Sequence, residues 1–143
     1  MAKLNPYVSF KDNAREALEF WQSALGGELS ISVFSDVPEV AGMLQDESEK
    51  SLVMHGQLDA PGGLTLMAAD TGSSMPYEAP TSGVTVALTG GPEDLEYIRG
   101  AYEALAEGAS DVMPLDLAPW GDHYGQLTDR YGVTWMFDVG PEE

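Results

Sequence analysis

The chain contains no cysteine in its 143 residues. That excludes disulfides, thiolate metal sites and cysteine nucleophiles, and leaves the compartment open. Bases are scarce: Lys3, Lys11, Arg15, Lys50, Arg99 and Arg130 face 24 acids, for a formal net charge of −18. Phosphate-backbone recognition needs a basic stripe, so a nucleic-acid partner is excluded. No stretch approaches the ~18 apolar residues of a membrane span. The opening MAKLNPYVSF lacks the apolar run of a signal peptide. The expectation is a soluble, cytoplasmic chain with no membrane partner. A glycine-rich strand-to-helix turn suited to a nucleotide cofactor is missing as well.

What is present fits a globular protein. Hydrophobic residues make up 43%, and the length suits one domain burying roughly two-thirds of its unfolded surface. The acidity has two readings, a solvated surface or an attraction for cationic ligands. Charge alone does not separate them.

The chain repeats itself. GQLDAPGGLTLM, from Gly56 to Met67, returns 69 residues later as GQLTDRYGVTWM, from Gly125 to Met136. Six of the twelve positions are identical: Gly56/Gly125, Gln57/Gln126, Leu58/Leu127, Gly63/Gly132, Thr65/Thr134 and Met67/Met136. Each copy is an alternating run, a turn with glycine and a second alternating run, the pattern of a β-hairpin. A unit occurring twice predicts two similar halves around a pseudo-twofold axis.

Taken in order, Leu4 to Phe10 reads as a strand, with Pro6 at an edge because it cannot donate to a ladder. Asp12 or Asn13 caps a helix, with Glu16 as the reciprocal partner. Ala14, Ala17, Leu18, Trp21 and Leu25 form its buried stripe, and Gly26-Gly27 stops it. Glu28 to Phe34 is a strand. Residues 36–50 read as a loop with one helical turn. Ser51 to Leu58 and Leu64 to Ala69 are strands joined at Pro61-Gly62-Gly63, and 71–82 is a linker. The second half follows suit: a strand at Val84–Thr89, Pro92 opening a helix, and strands at Val112–Leu117, His123–Thr128 and Val133–Phe137. Leu95, Ile98, Tyr102 and Leu105 make the second helix's stripe, and Gly100 within it predicts a close packing contact. The first strand and helix are offset by 80 residues and the hairpins by 69, which locates an eleven-residue insertion at 36–50. The fold class is α+β, one domain over 1–143 with modules 1–70 and 83–140.

Two βαβββ modules resemble the vicinal oxygen chelate superfamily of glyoxalases, bleomycin-resistance proteins and dioxygenases, and within it the PhnB-like branch. LNPYVSF, REALEFWQSALGG, VMHGQL, LTLMAAD and WGDHYGQLTDRYGVTWMFD carry that resemblance, which covers nearly the whole chain. It implies an eight-stranded cup with helices outside and, in the enzymes, one divalent metal held by the first and fourth strands of each half. Strand parity would then aim Val53, His55, Gln57, Thr65, Met67, Tyr124, Gln126, Thr134 and Met136 into the cup, with Asn5, Tyr7, Thr85 and Ala87. The four ligand positions fall on Asn5, Met67, Thr85 and Met136. Such residues do not suit an ion that wants imidazole or carboxylate, so the expectation is no metal and no cofactor.

Tyr7, His55, Gln57, Met67, Trp120, Tyr124, Gln126 and Met136 are the candidate ligand-binding residues. His55 and Tyr124 match between halves and read either as a base and a phenol facing one ligand or as two satisfied amphipathic residues. Met67 and Met136 suit both a cup floor and contact with an aromatic ligand. Trp120 stacks a planar ligand, covers the end of the cup or joins a dimer seam. His123, one residue out of phase, reads as a loop-edge residue. Trp21 and Trp135 are core. The leading function is metal-independent binding of a small aromatic or planar molecule, with no catalytic residue assigned. The alternatives are a metal-dependent lyase, isomerase or dioxygenase, and a dimeric interaction module without a ligand. A homodimer is expected, with its contact at Pro6 and the 36–50 insertion.

Overall fold

The computed structural model describes residues 3–42, 47–71 and 83–141. The chain divides into two compact units, Met1–Ala79 and Pro80–Glu143, parting within the expected linker, most of which (72–82) lies outside the described residues.

The first unit runs β1 (Tyr7–Phe10), α1 (Ala14–Leu25), β2 (Glu28–Val33), a short α2 (Pro38–Ala41), β3 (Val53–Ala60) and β4 (Leu64–Asp70). Its four strands form one sheet in the order β1-β4-β3-β2, with β1 parallel to β4 and the others antiparallel. The second unit runs β5 (Thr85–Gly90), α3 (Leu95–Leu105), β6 (Ser110–Leu117), β7 (His123–Thr128) and β8 (Thr134–Val139). Its sheet order is β5-β8-β7-β6, the same path with the same directions. The architecture is α+β, and neither sheet closes into a barrel.

The two offsets are visible in the backbone. Thr71 N–H donates to Phe10 O at 2.7 Å, and Gly140 N–H donates to Gly90 O at 2.9 Å; those residues are 69 and 80 apart. The insertion lies between β2 and β3, where α2 and two short 3-10 turns (Phe34–Asp36 and Glu47–Ser51) intervene. Positions 43–46 of it lie outside the described residues. Among the described residues no helix is long and apolar enough to cross a membrane.

Each helix buries its apolar stripe on its own sheet. Ala14, Ala17, Leu18, Trp21 and Leu25 are buried on α1, and Ile98, Ala101 and Leu105 on α3. Trp21 (0% exposed) and Trp135 (2%) are core, as helix and strand phase predict. The repeated glycine has a different reason in each copy. A Cβ on Gly56 would lie 2.2 Å from Leu18 Cδ1, so this glycine admits the helix. A Cβ on Gly125 would lie 2.9 Å from Leu115 Cα, so that one admits the neighbouring strand.

Four local expectations fail. Leu4 is fully exposed and precedes β1, which starts only after Pro6. Asn13 makes no side-chain cap; the first N–H of α1, on Ala14, instead donates to Asp70 Oδ1 at 2.9 Å from the far end of β4. Val53 is buried, because a bulge lets Val33 pair with Val53 and Ser32 with His55, skipping Met54 and reversing the parity at the strand's start. Gly100 is exposed, and a Cβ there would meet nothing within 4 Å, so it makes no close packing contact.

Candidate functional site

Strand register assembles the candidate residues on one face of each sheet. In the first unit, Tyr7 pairs with Met67 and Met67 with Gln57, which pairs in turn with Ser30 on β2. The adjacent rung carries His55 opposite Ser32. Neighbouring rungs bring rings together diagonally, and Tyr7 and His55 stack with centroids 5.9 Å apart and planes 24° from parallel. Tyr7 is 52% exposed on its edge strand, while His55, Gln57 and Met67 are half-buried. Gln57 Nε2 donates to both carboxylate oxygens of Asp59, at 3.0 and 3.1 Å, and Thr65 Oγ1 reaches Asp59 Oδ1 at 3.2 Å. The amide of Gln57 is thereby turned along its own strand, with its Oε1 left to accept.

The second unit repeats the layout with other side chains. Gln126 pairs with Met136, which pairs with Ala87; Tyr124 pairs with Asp138, which pairs with Thr89. Tyr124 donates its hydroxyl to Gln126 Oε1 at 3.3 Å. Trp120, 66% exposed on the loop before β7, meets Tyr124 nearly edge-on with centroids 6.0 Å apart. Beyond them Thr128 and Thr134 share a hydrogen bond of 3.3 Å. Tyr7, His55, Gln57 and Met67 thus form one cluster, and Trp120, Tyr124, Gln126 and Met136 another.

Strand parity also singles out a residue that attention to the repeat passed over. Asp138 lies two positions beyond Met136, on the same face. Its Oδ1 is buried with no hydrogen-bond partner among the described residues. Burial, then a hydrogen bond with the Asp122 carboxyl, then that group's negative charge, push Asp138 above the ordinary aspartate value. Two carboxyls in hydrogen-bonding contact require a proton between them. Two other acids are structural. Asp70 accepts from Ala14 N–H and Val53 N–H, both at 2.9 Å. Asp129 accepts from Tyr131 N–H, Val133 N–H and the Trp135 indole at 2.9, 3.1 and 2.9 Å.

A divalent ion does not fit these residues. Positions 5, 67, 85 and 136 offer an amide, a hydroxyl and two thioethers. Among the described residues no three histidine or acidic side chains come together as a ligand set. Imidazole and carboxylate are what such ions require.

The sequence model of the Glyoxalase/Bleomycin resistance protein/Dioxygenase superfamily matches residues 3–137. The chain belongs to that superfamily. Among solved structures it is similar to protein PA1353 from Pseudomonas aeruginosa, with 33% identity, 99% of this chain and 100% of that one covered, and a TM-score of 0.80. A putative 3-demethylubiquinone-9 3-methyltransferase, PhnB protein, from Bacillus cereus shares the fold at 24% identity and a TM-score of 0.69, over 97% of this chain and all of that one. Protein YjdN of Escherichia coli (strain K12) is 28% identical over 95% of this chain and 94% of its own length.

Proposed function

We propose that this superfamily member binds a small planar or aromatic molecule without using a metal. The observation that carries the reading is the recurrence, in both units, of one constellation: an aromatic pair, a glutamine and a methionine on a single sheet face. Tyr7 with His55 and Trp120 with Tyr124 supply rings for stacking. Met67 and Met136 supply adaptable, polarizable contact, and Gln57 and Gln126 supply hydrogen-bonding groups that fix orientation. None of these groups is a strong nucleophile, which favours binding over covalent chemistry.

Tryptophan fluorescence tests the proposal with a panel of neutral one- and two-ring aromatics. Trp120 is exposed while Trp21 and Trp135 are buried, so a ligand stacking on Trp120 should quench only the solvent-exposed component of the emission. Trp120→Phe should remove that signal. His55→Ala should weaken binding by about 1–2 kcal/mol if the imidazole hydrogen-bonds the ligand. Saturable binding that is unaffected by both substitutions would sink the reading.

Homodimerisation accompanies it. Members of the superfamily often dimerise, and the edge strand β6 leaves Val112, Met113 and Leu117 exposed, an apolar edge that proteins usually cover. Sedimentation equilibrium at micromolar concentration should give twice the chain mass.

A further inference from the structure

On the other side of the second sheet lies a half-open cleft of about 450 Å³. Pro92 and Leu95 wall it at the start of α3, Leu117 at the end of β6, His123 at the start of β7, and Val139 and Pro141 at the end of β8. His123 and Val139 are register partners, one residue out of phase with Tyr124 and Asp138. Successive side chains of a strand point to opposite faces. The cleft is therefore separate from the Tyr124, Gln126 and Met136 face.

The matching place in the first unit is tied shut. Asp70 stands 69 residues before Val139, and its carboxylate joins the start of α1 to β3 through Ala14 N–H and Val53 N–H. Val139 offers no such tie. The start of α3 is held only locally, by Gly91 N–H donating to Asp94 Oδ2 at 3.0 Å.

We propose that the cleft binds a small apolar ammonium, a protonated amine on an aromatic or branched alkyl body. Its volume lies in the range of small-molecule pockets. Leu95, Leu117, Val139 and the two prolines give apolar walls, and Leu117, 66% exposed, has apolar surface to gain by being covered. His123 is the single polar side chain among the walls and offers a ring nitrogen as hydrogen-bond acceptor. Charge selects the sign. Glu93, Asp94, Asp122 and Asp138 each adjoin a wall residue in sequence, where no Lys or Arg stands. Residues so close in the chain act within a Debye length of roughly 8–10 Å. Their field favours a cation and disfavours an anion of the same size.

The test uses the full chain, isotope-labelled, titrated with benzylammonium, benzyl alcohol and benzoate while backbone amide shifts are followed. Benzylammonium should saturate, with the largest shifts at Leu117, His123 and Val139. Benzyl alcohol should bind several-fold more weakly, and benzoate should not saturate. Leu117→Ser should weaken benzylammonium at least fivefold. Val139→Asp, which restores the first unit's carboxylate, should close the cleft and abolish binding. Should that variant fail to fold, Leu117→Ser carries the test. Benzoate binding as well as benzylammonium, shifts centred on Trp120 and Tyr124, or unchanged affinity in Leu117→Ser would each overturn the proposal. Because the walls are on the opposite side from Tyr124, its failure leaves the aromatic-binding proposal standing, and the reverse holds.

Discussion

At one rung of its sheet the first unit sets His55 on β3 beside Ala69 on β4, followed by Asp70; at the same rung the second sets Tyr124 beside Asp138, followed by Val139. An acid has moved by one position, and on a strand one position is the other side of the sheet. Asp70 therefore points among backbone donors and locks helix to sheet. Asp138 points to the candidate face, where it meets Asp122 and leaves an oxygen unpartnered. The two hairpin turns diverge in the same spirit. In the first, Gly62 and Gly63 adopt φ of 78° and 79°, so glycine's freedom makes the turn. In the second, Asp129 stands at the position of Ala60 and organises the turn by accepting three hydrogen bonds. A duplicated backbone thus keeps its register while its polar side chains take new work.

The largest break in that comparison should come from Asp129→Ala. It strands two backbone donors and the Trp135 indole, all near a buried carboxylate, and should cost about 3 kcal/mol in denaturant unfolding. Ala60 at the matching position shows that the first unit needs no such hub. If the variant loses less than about 1 kcal/mol, the hub assignment is wrong.

The glycines sharpen the contrast. Gly56→Ala drives a methyl into Leu18 and should destabilise by about 1–3 kcal/mol, the usual cost of overpacking. Gly100→Ala, with no neighbour in reach, should stabilise α3 by about 1 kcal/mol through helix propensity alone. Thermal melts of the two variants should shift in opposite directions.

The smallest effect is expected at Asp138, whose half-buried position lets solvent screen the pair. Its folded-state value is raised, so the native chain holds the proton more tightly than the unfolded one. The stability this lends is present at low pH and is lost as pH rises from the ordinary aspartate range through the raised value. Asp138→Asn should remove that slope and be the more stable protein at neutral pH. Asp122→Asn should flatten it as well. A pH–stability curve unchanged in both variants would show that the pair carries no linkage.

Local periodicity determined much of this protein. Alternation placed Gln57, Met67, Gln126 and Met136 on shared faces, helical spacing placed Leu18, Trp21, Ile98 and Leu105 in the cores, and the two offsets located the insertion between β2 and β3. Side-chain direction follows from backbone repeat alone, so it is written in the sequence wherever the repeat is regular. Partner choice is not. The cap of α1 comes from Asp70, 56 residues away, in place of Asn13, which only the docking of β4 against the helix start could decide. The bulge at Met54 reversed Val53 because strand pairing with β2 slipped by a residue. The Asp122–Asp138 contact and the cleft behind His123 likewise exist only once a loop, a helix start and strand ends have converged. Contacts between segments distant in the chain depend on how the elements pack, and no local repeat encodes them.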